Sequence, residues 1–446
     1  MQCDQARTEI IAYLKDELSK DKKDRLEEHL ARCPNCRHEL EGARRLLSWT
    51  DAASEQAVVK QVEDIIDRAI KSSASDIHFD PLRDNSLLVR LRIDGVLHEV
   101  ARIDAAQRNG VITRAKMMAD MDVSETHLPQ DGRMRWKVGE TDHDIRVNCT
   151  PFVYGEGMVM RILDQTNVVV GLDKLGLCED HLQAVRQLIT HPTGMVFVSG
   201  PTGSGKTTTL YSMLQEVASP TVKVMTIEDP VEYTLEGVEH AHVYTKIGFT
   251  FAGALRSFLR HDPDVIMVGD IRDYETAALV TEAAISGHMV LSSLHTNDAV
   301  GVIQRLRDMG IDDFMIAASL VGAVSQRLVR KVCQSCKIRL TADDYDPALA
   351  MLGISPDELA ACEVYIGQGC EVCRNTGYRN RTALYEVLSI DRDLSAMIGE
   401  HAPVNEILEA ARGKGFASLA EDAKRKVLAG LTTPREALRV LSHSAA

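Results

Sequence analysis

A short stretch of the chain has the residue types and spacing of a phosphate-binding loop. Residues 200–207 match GxxxxGK[ST], with Lys206 and Thr207 at the last two positions. In such a loop the backbone amides surround a polyphosphate, the lysine reaches the β- and γ-phosphates, and the hydroxyl ligates Mg²⁺. The sequence therefore predicts a site for a nucleoside triphosphate, ATP in the first instance, with Mg²⁺. The predicted nucleotide-binding residues are Gly200, Pro201, Thr202, Gly203, Ser204, Gly205, Lys206, Thr207 and Thr208.

The elements around this loop argue against the alternative, a chance match in a flexible segment. An apolar run at 195–198 predicts a buried strand before the loop, and 207–217 has the pattern of a helix after it. A loop between a strand and a helix N-terminus is where phosphate binding is favourable. The surrounding residues are therefore those that a phosphate-binding loop needs.

Three further apolar runs end in residues of a catalytic type. Runs 222–227, 265–268 and 289–294 lead into acidic residues, into Asp270 and into His295, respectively. Any one of them alone could equally be an acidic turn or a helix cap. Ligands of open α/β sheets bind beyond the carboxyl ends of the strands. Together with the run 195–198, these three runs would therefore direct reactive groups to the same side of one sheet.

Length and composition place limits on the function. The chain has 446 residues, enough for roughly three domains of ~150 residues. Its net charge of −14 opposes an extended nucleic-acid track, which would concentrate Lys and Arg. No run reaches the ~20 apolar residues of a membrane span, and the polar N-terminus does not resemble a secretory signal. We expect no nucleic-acid partner and no direct membrane insertion.

The patterns divide the chain into five regions of a multi-domain α/β protein. Alternating strand and helix patterns at 176–325 predict a parallel sheet with crossover helices, and together with the phosphate loop this region resembles a RecA-like core. A mixed α+β domain is predicted before it, and Ala52–Ser54 is predicted to be a linker. The predicted regions are 1–50, a helical zinc-binding domain; 55–165, the α+β domain; 176–325, the core; 326–385, a tetracysteine lobe; and 386–446, a helical region.

Two CxxC pairs in the C-terminal half predict a zinc site. They are separated by 33 residues, and each CxxC turn presents two sulfurs to one point. Four thiolates leave no open coordination position, which indicates a structural role. The alternative is four reduced cysteines without metal. The predicted ligands are Cys333, Cys336, Cys370 and Cys373.

A second candidate zinc site lies near the N-terminus. His29 and Cys33 are four residues apart, on one face of a helix predicted to begin after Ser19, and Cys36 and Cys3 complete the set. This pattern resembles the zinc-binding anti-sigma domain over about 45 residues. The alternative is a helical pair with free thiols. Our hypothesis is that this region docks onto a partner and does not regulate transcription.

Taken together, residues 55–400 resemble the secretion traffic ATPases that power type II secretion and type IV pilus assembly. The paired CxxC cluster resembles the extension or secretion branch of that family, since the retraction branch lacks it. The resemblance rests on Ser75-Asp-Ile-His78, Arg92-Ile-Asp-Gly95, Leu128-Pro-Gln-Asp-Gly-Arg133, Gly200–Thr207, Ile227-Glu-Asp-Pro-Val-Glu232, Asp262-Pro-Asp-Val-Ile-Met-Val-Gly269 and Ser286-Gly-His-Met-Val-Leu-Ser-Ser-Leu-His-Thr-Asn-Asp298.

The resemblance implies roles for specific side chains. Lys206 and Mg²⁺ on Thr207 would neutralise the phosphates, and Asp270 would orient the attacking water or support the metal. The acidic run would position metal or water, and the histidines would sense the γ-phosphate. Of four arginines, the first two along the chain would reach the phosphates from the preceding domain, and the last two lie where the family also places functional arginines; the alternative for all four is solvated surface charge. These residues are Glu228, Asp229 and Glu232; His288 and His295; and Arg146, Arg161, Arg256 and Arg260.

The resemblance also implies a working assembly. Members of the family form rings, commonly hexamers, on the cytoplasmic side of the inner membrane. They contact a membrane platform protein and a cytoplasmic docking protein while they drive pilin or pseudopilin polymerisation. This chain departs from the family in having Asp270 where a glutamate is usual, a reach shorter by about 1.5 Å. That departure predicts slow turnover, and it leaves open a regulatory scaffold that binds ATP without useful hydrolysis.

Overall fold

The computed structural model of the chain describes residues 3–14, 17–47, 52–163 and 170–442, with side chains for all of these except 44–47 and 52–55. The chain divides into two compact units, Met1–Thr166 and Asn167–Ala446.

The first unit begins with a small helical module. The predicted helix start after Ser19 is confirmed, and Leu26, Leu30 and Cys36 are buried in the core of the module. The helices are α1 (Cys3–Leu14), α2 (Lys20–Arg32) and α3 (Pro34–Leu47).

The rest of the first unit is an antiparallel sheet with two helices. Helix α4 begins at Ala52, so the prediction of a linker at Ala52–Ser54 is wrong: alanine and the polar residues that follow it favour a helix, and they extend α4 at its N-terminus. The strands lie in the order β3-β2-β1-β6-β5-β4. The elements are α4 (Ala52–Lys71), β1 (Asp76–Pro81), β2 (Leu87–Ile93), β3 (Val96–Ile103), α5 (Ala105–Met118), β4 (Gln130–Val138), β5 (Thr141–Phe152) and β6 (Gly155–Leu163).

The second unit contains a seven-stranded sheet in the order β15-β12-β7-β11-β10-β8-β9. All neighbouring strands are parallel except the edge strand β15, which runs antiparallel to β12. Its elements through β12 are α6 (Glu179–Ile189), β7 (Gly194–Ser199), α7 (Lys206–Val217), β8 (Val224–Glu228), β9 (Val238–His242), α8 (Phe251–Phe258), β10 (Val265–Val268), α9 (Tyr274–Ile285), β11 (Met289–Leu294), α10 (Gly301–Asp308), α11 (Asp313–Ser319) and β12 (Leu320–Val332).

The C-terminal part of this unit carries the second cysteine cluster. Its elements are β13 (Lys337–Arg339), α12 (Pro347–Met351), α13 (Pro356–Ala361), β14 (Tyr365–Gly367), β15 (Tyr378–Ser389), α14 (Arg392–Gly399), α15 (Val404–Gly413), α16 (Leu419–Leu428) and α17 (Pro434–Ser442).

Three hydrophobic cores hold the second unit together. Two of them lie on the two faces of the parallel sheet, whose central strands are buried on both sides as such sheets require. Helices α14 and α15 pack into the first of these cores. The third core joins the segment 340–364 to α16 and α17, so the region between the two CxxC pairs shares its core with the last two helices.

Candidate functional site

The loop after β7 is shaped by its glycines. Gly203 and Gly205 have φ of +79° and +93°, in the left-handed region that favours glycine. A Cβ on Gly200, whose φ is +143°, would lie 2.5 Å from the carbonyl oxygen of Gln326. These glycines let the loop turn closely against β12 before α7 begins at Lys206. The predicted strand and helix around the loop are both present.

Lys206 lies within the loop and faces the ends of other strands. Its Nζ donates to the carbonyl oxygens of Gly200 at 2.7 Å and Pro201 at 3.3 Å, and lies 3.4 Å from Nδ1 of His295. Burial lowers the pKa of Lys206, and the negative charge of Asp270 opposes this effect. The lysine is thus held where it can interact with a phosphate group in the loop.

Asp270 and His295 come from the carboxyl ends of β10 and β11 and meet opposite the loop. Nε2 of His295 lies 3.6 Å from Oδ2 of Asp270, which also accepts a hydrogen bond from Nε of Arg272 at 2.8 Å. The other carboxylate oxygen of Asp270 is buried without a hydrogen-bond partner in the described part of the chain. A carboxylate oxygen and the hydroxyl of Thr207 on one cavity are the hard ligands that Mg²⁺ prefers, so these residues fit the ion.

These side chains line one cavity of about 560 Å³. Glu228, Asp229 and Glu232 line it too, but Glu228 is only 4% exposed and lies at its base. The cavity therefore brings together the loop residues, the acidic run, Asp270 and His295, as the common sheet edge predicts.

Other predicted residues lie elsewhere. His288 precedes β11, at the opposite edge of the sheet and about 20 Å along the strand from His295. Arg256 is exposed and pairs with Glu275 at 2.6 Å, and the exposed Arg260 donates to the carbonyl oxygen of Arg256. These three residues do not line the cavity.

The two remaining predicted arginines belong to the first unit. Arg161 on β6 is 63% exposed, and its Nε donates to Oδ1 of the buried Asp76 at 3.0 Å. Arg146 lies opposite it on β5, in a directly paired position of the sheet. The two arginines are therefore cross-strand neighbours on adjacent strands of that sheet.

The structure adds residues at the loop and the cavity that sequence reasoning missed. Gln326 braces the loop, because its amide donates to the Ser204 carbonyl oxygen at 2.8 Å and accepts from the Thr209 hydroxyl at 2.8 Å. Arg272 and Arg381 line the cavity. Gln326 could have been found as a polar residue inside the apolar run of β12, since buried polar side chains need partners.

The four C-terminal cysteines converge as predicted. The Sγ atoms of Cys333 and Cys370 are 3.9 Å apart, and those of Cys336 and Cys373 are 3.8 Å apart. Four sulfurs bound tetrahedrally at about 2.3 Å from one Zn²⁺ lie about 3.8 Å from each other. The cysteines thus fit a zinc ion.

Backbone amides around this cluster suit thiolate ligands. Burial acts to raise the pKa of Cys373, but the amides of Cys370 and Gly377 donate to its sulfur and lower this pKa to about 6. Gly367 and Gly377 lie on either side of the second CxxC turn and approach each other closely, since a Cβ on Gly367 would lie 2.1 Å from the Gly377 carbonyl oxygen. The amide of Cys333 donates to the Gly377 carbonyl oxygen at 2.9 Å, so a backbone hydrogen bond joins the first CxxC turn to the second.

The N-terminal cysteines and histidine also meet. The Sγ atoms of Cys3 and Cys33 are 3.8 Å apart, and Nε2 of His29 lies 3.3 Å from Sγ of Cys36. The ligand atoms of all four lie within 4.8 Å of one another. In a tetrahedral Cys₃His zinc site, two ligand atoms lie about 3.5 to 3.8 Å apart. The sulfur–sulfur distance of 3.8 Å and the nitrogen–sulfur distance of 3.3 Å are close to this spacing.

Comparison with known proteins agrees with this geometry. The family described as type II/IV secretion system protein matches residues 51–439, and a zinc-finger family matches residues 3–37. The chain belongs to the type II/IV secretion system protein family. The predicted family, its ATPase class and the α/β fold class are thereby confirmed.

Individual relatives in this family include pilus and secretion proteins. The chain is 44% identical to the type IV pilus assembly ATPase PilB of Thermus thermophilus over 86% of its own length and 43% of the relative's. It is 44% identical to PilB of Myxococcus xanthus, covering 86% of this chain and 68% of that protein. For the type II secretion system protein E of Pectobacterium carotovorum the identity is 42%, covering 87% and 77%.

Solved structures support the fold. The pilus retraction motor PilT with bound ADP is 25% identical with a TM-score of 0.58, covering 84% of this chain and 96% of that one. The Legionella pneumophila ATPase DotB has a TM-score of 0.63 at 21% identity, covering 86% and 95%. None of the helices within the described ranges is long and apolar enough to cross a bilayer.

Proposed function

We propose that this family member hydrolyses ATP to drive the polymerisation of pilins or pseudopilins in type IV pilus assembly or type II secretion. The observation that carries the proposal is the meeting of Lys206 and Thr207 with Asp270 and His295 around one cavity. Relatives named PilB and type II secretion protein E share 42–44% of their aligned residues with this chain. The tetracysteine cluster supports the assembly or secretion branch over retraction.

In this proposal the residues of the cavity act on the triphosphate. Lys206 and the loop amides bind the phosphates, His295 contacts the γ-phosphate, and Asp270 orients the attacking water. Mg²⁺ on Thr207 would neutralise charge on the phosphates. Glu228, Asp229 and Glu232 position water or metal around that centre. We assign phosphate contacts to Arg146 and Arg161 of the first unit within a hexameric ring. His288, Arg256 and Arg260 are proposed to act in that ring and not at the cavity of their own chain.

Turnover itself tests this proposal against the scaffold alternative. Asp270 is shorter than the usual glutamate, and a misplacement of that size costs about a hundredfold in rate. We expect Asp270→Glu to raise kcat about tenfold or more, and Asp270→Asn to lower it, because the second change removes the charge. Phosphate release by the oligomer is the measurement. A wild-type rate equal to that of both variants would favour the scaffold.

We further propose that the chain works at the cytoplasmic face of the inner membrane, with the N-terminal module docking onto a membrane platform protein or its cytoplasmic docking partner. The fit of Cys3, His29, Cys33 and Cys36 to zinc supports a rigid module of this kind. The acidic net charge of −14 favours a protein partner over anionic lipid.

A variant of one ligand tests the docking role. Cys36 is fully buried in the module, so Cys36→Ser removes a zinc ligand and loosens the helices. We expect the full-length variant to lose most of its capture of the platform protein from detergent-extracted membranes while its ATPase rate stays near wild type. Cys362→Ser, outside both clusters, is the matched control. Unchanged capture by the Cys36 variant would contradict the docking role.

A further inference from the structure

Glu228 is held in the base of the cavity by side chains that no motif assigns. Its carboxylate accepts hydrogen bonds from the hydroxyl of Tyr211, from Oγ1 of Thr226 at 2.6 Å and from Nδ1 of His240 at 2.9 Å. Tyr211 is fully buried, and Glu228 is 4% exposed. These hydrogen bonds come from α7, β8 and β9, three elements that meet only in the folded core.

The backbone fixes the protonation of His240. The amide of Leu235 donates to Nε2 of His240 at 3.0 Å, so this nitrogen carries the lone pair. Nδ1 must then carry the proton in the neutral ring, and it lies 2.9 Å from both Oε1 of Glu228 and Oγ1 of Thr226. His240 therefore donates to the carboxylate as a neutral side chain.

Tyr211 connects this group to the phosphate-binding loop. It lies five residues after Lys206, on the helix that begins at that lysine. Its ring packs on Tyr233, with centroids 4.1 Å apart, and burial raises the pKa of Tyr211, which keeps the phenol a donor. The position of the carboxylate is thus tied to the helix that follows the loop.

The two carboxylates of the cavity have different surroundings. Asp270 is paired with the guanidinium of Arg272, whereas the hydrogen bonds to Glu228 come from two hydroxyls and a neutral imidazole. Neutral donors fix the direction of a carboxylate without cancelling its charge. Glu228 therefore presents an oriented negative charge to the cavity.

We propose that Tyr211 and His240 are positioning residues for ATP hydrolysis, which hold the carboxylate of Glu228 toward the water or metal of the reaction. This inference rests on the proposed function. The loss of one hydrogen bond to a charged group corresponds to a rate effect of about tenfold when the group acts only in the transition state.

The test is a set of side-chain changes in the full-length oligomer. Tyr211→Phe removes one hydroxyl without changing the ring, and we expect kcat to fall about tenfold with KM for MgATP unchanged. His240→Leu should do the same, whereas His240→Asn, which keeps a donor near Nδ1, should recover much of the rate. Tyr233→Phe is the matched control, because the Tyr233 hydroxyl is buried without a hydrogen-bond partner among the described residues.

The outcomes separate this inference from the proposed function. A wild-type kcat for Tyr211→Phe, or an equal loss in Tyr233→Phe, would overturn the positioning role. So would a loss that follows the unfolding temperature and raises KM, since that indicates general damage. If the wild type hydrolyses ATP no faster than Lys206→Ala, the proposed function fails, and the positioning role fails with it.

Discussion

Replacing Lys206 with alanine is expected to abolish Mg²⁺-dependent phosphate release, with a loss of at least about a hundredfold. The ammonium group lies among the carbonyl oxygens of the loop and beside His295, where no other lysine of the cavity lining can replace it. Its charge is needed most when negative charge moves onto the leaving phosphates. A coupled phosphate assay on the purified oligomer measures the effect.

A matched lysine provides the control for this experiment. Lys174 is exposed and lies on the chain before α6, outside the cavity, so Lys174→Ala should keep the wild-type rate. Both variants should unfold near the wild-type temperature, because the Lys206 side chain bonds to carbonyl oxygens of the loop and belongs to none of the hydrophobic cores. If Lys206→Ala still released phosphate at half the wild-type rate, the cavity would not be the site of hydrolysis.

Replacing one of the four C-terminal cysteines, the proposed zinc ligands, is expected to cause the largest change in stability. Cys373 holds the second CxxC turn, and the adjoining segment 340–364 shares its hydrophobic core with α16 and α17. Structural zinc contributes on the order of 10 kcal/mol to the folding of small domains, and a loss of about 4 kcal/mol lowers Tm by roughly 10 °C in a unit of this size. We expect at least that decrease for Cys373→Ser.

Calorimetry and hydrogen exchange measure this effect together. Amides of α16 and α17 should lose protection in the variant, while those of β7 and β11 stay protected, because the sheet has cores of its own. Cys362→Ser keeps all four ligands and serves as the control. An unchanged Tm after removal of Cys373, with zinc absent from the wild type by elemental analysis, would rule out the metal site.

Short motifs were enough to predict the loop, the strands around it and both ligand sets. Glycine at positions of positive φ and lysine before a helix leave few alternatives for Gly203, Gly205 and Lys206. Cysteine and histidine at fixed spacing are equally specific, because each turn places its ligands locally. The sequence therefore identified the family, and it predicted the chemistry of the sites.

Pairing across the sheet was decided only by the tertiary structure. His288 and His295 are seven residues apart in one motif, yet they flank the two opposite ends of β11. Of the two, His295 lines the cavity and His288 does not. Gln326 reaches the phosphate-binding loop, and Tyr211 and His240 reach Glu228, from elements whose order in space no local pattern fixes. Sequence spacing fixes neighbours along one helix or turn, whereas contacts between strands depend on how the whole sheet is assembled.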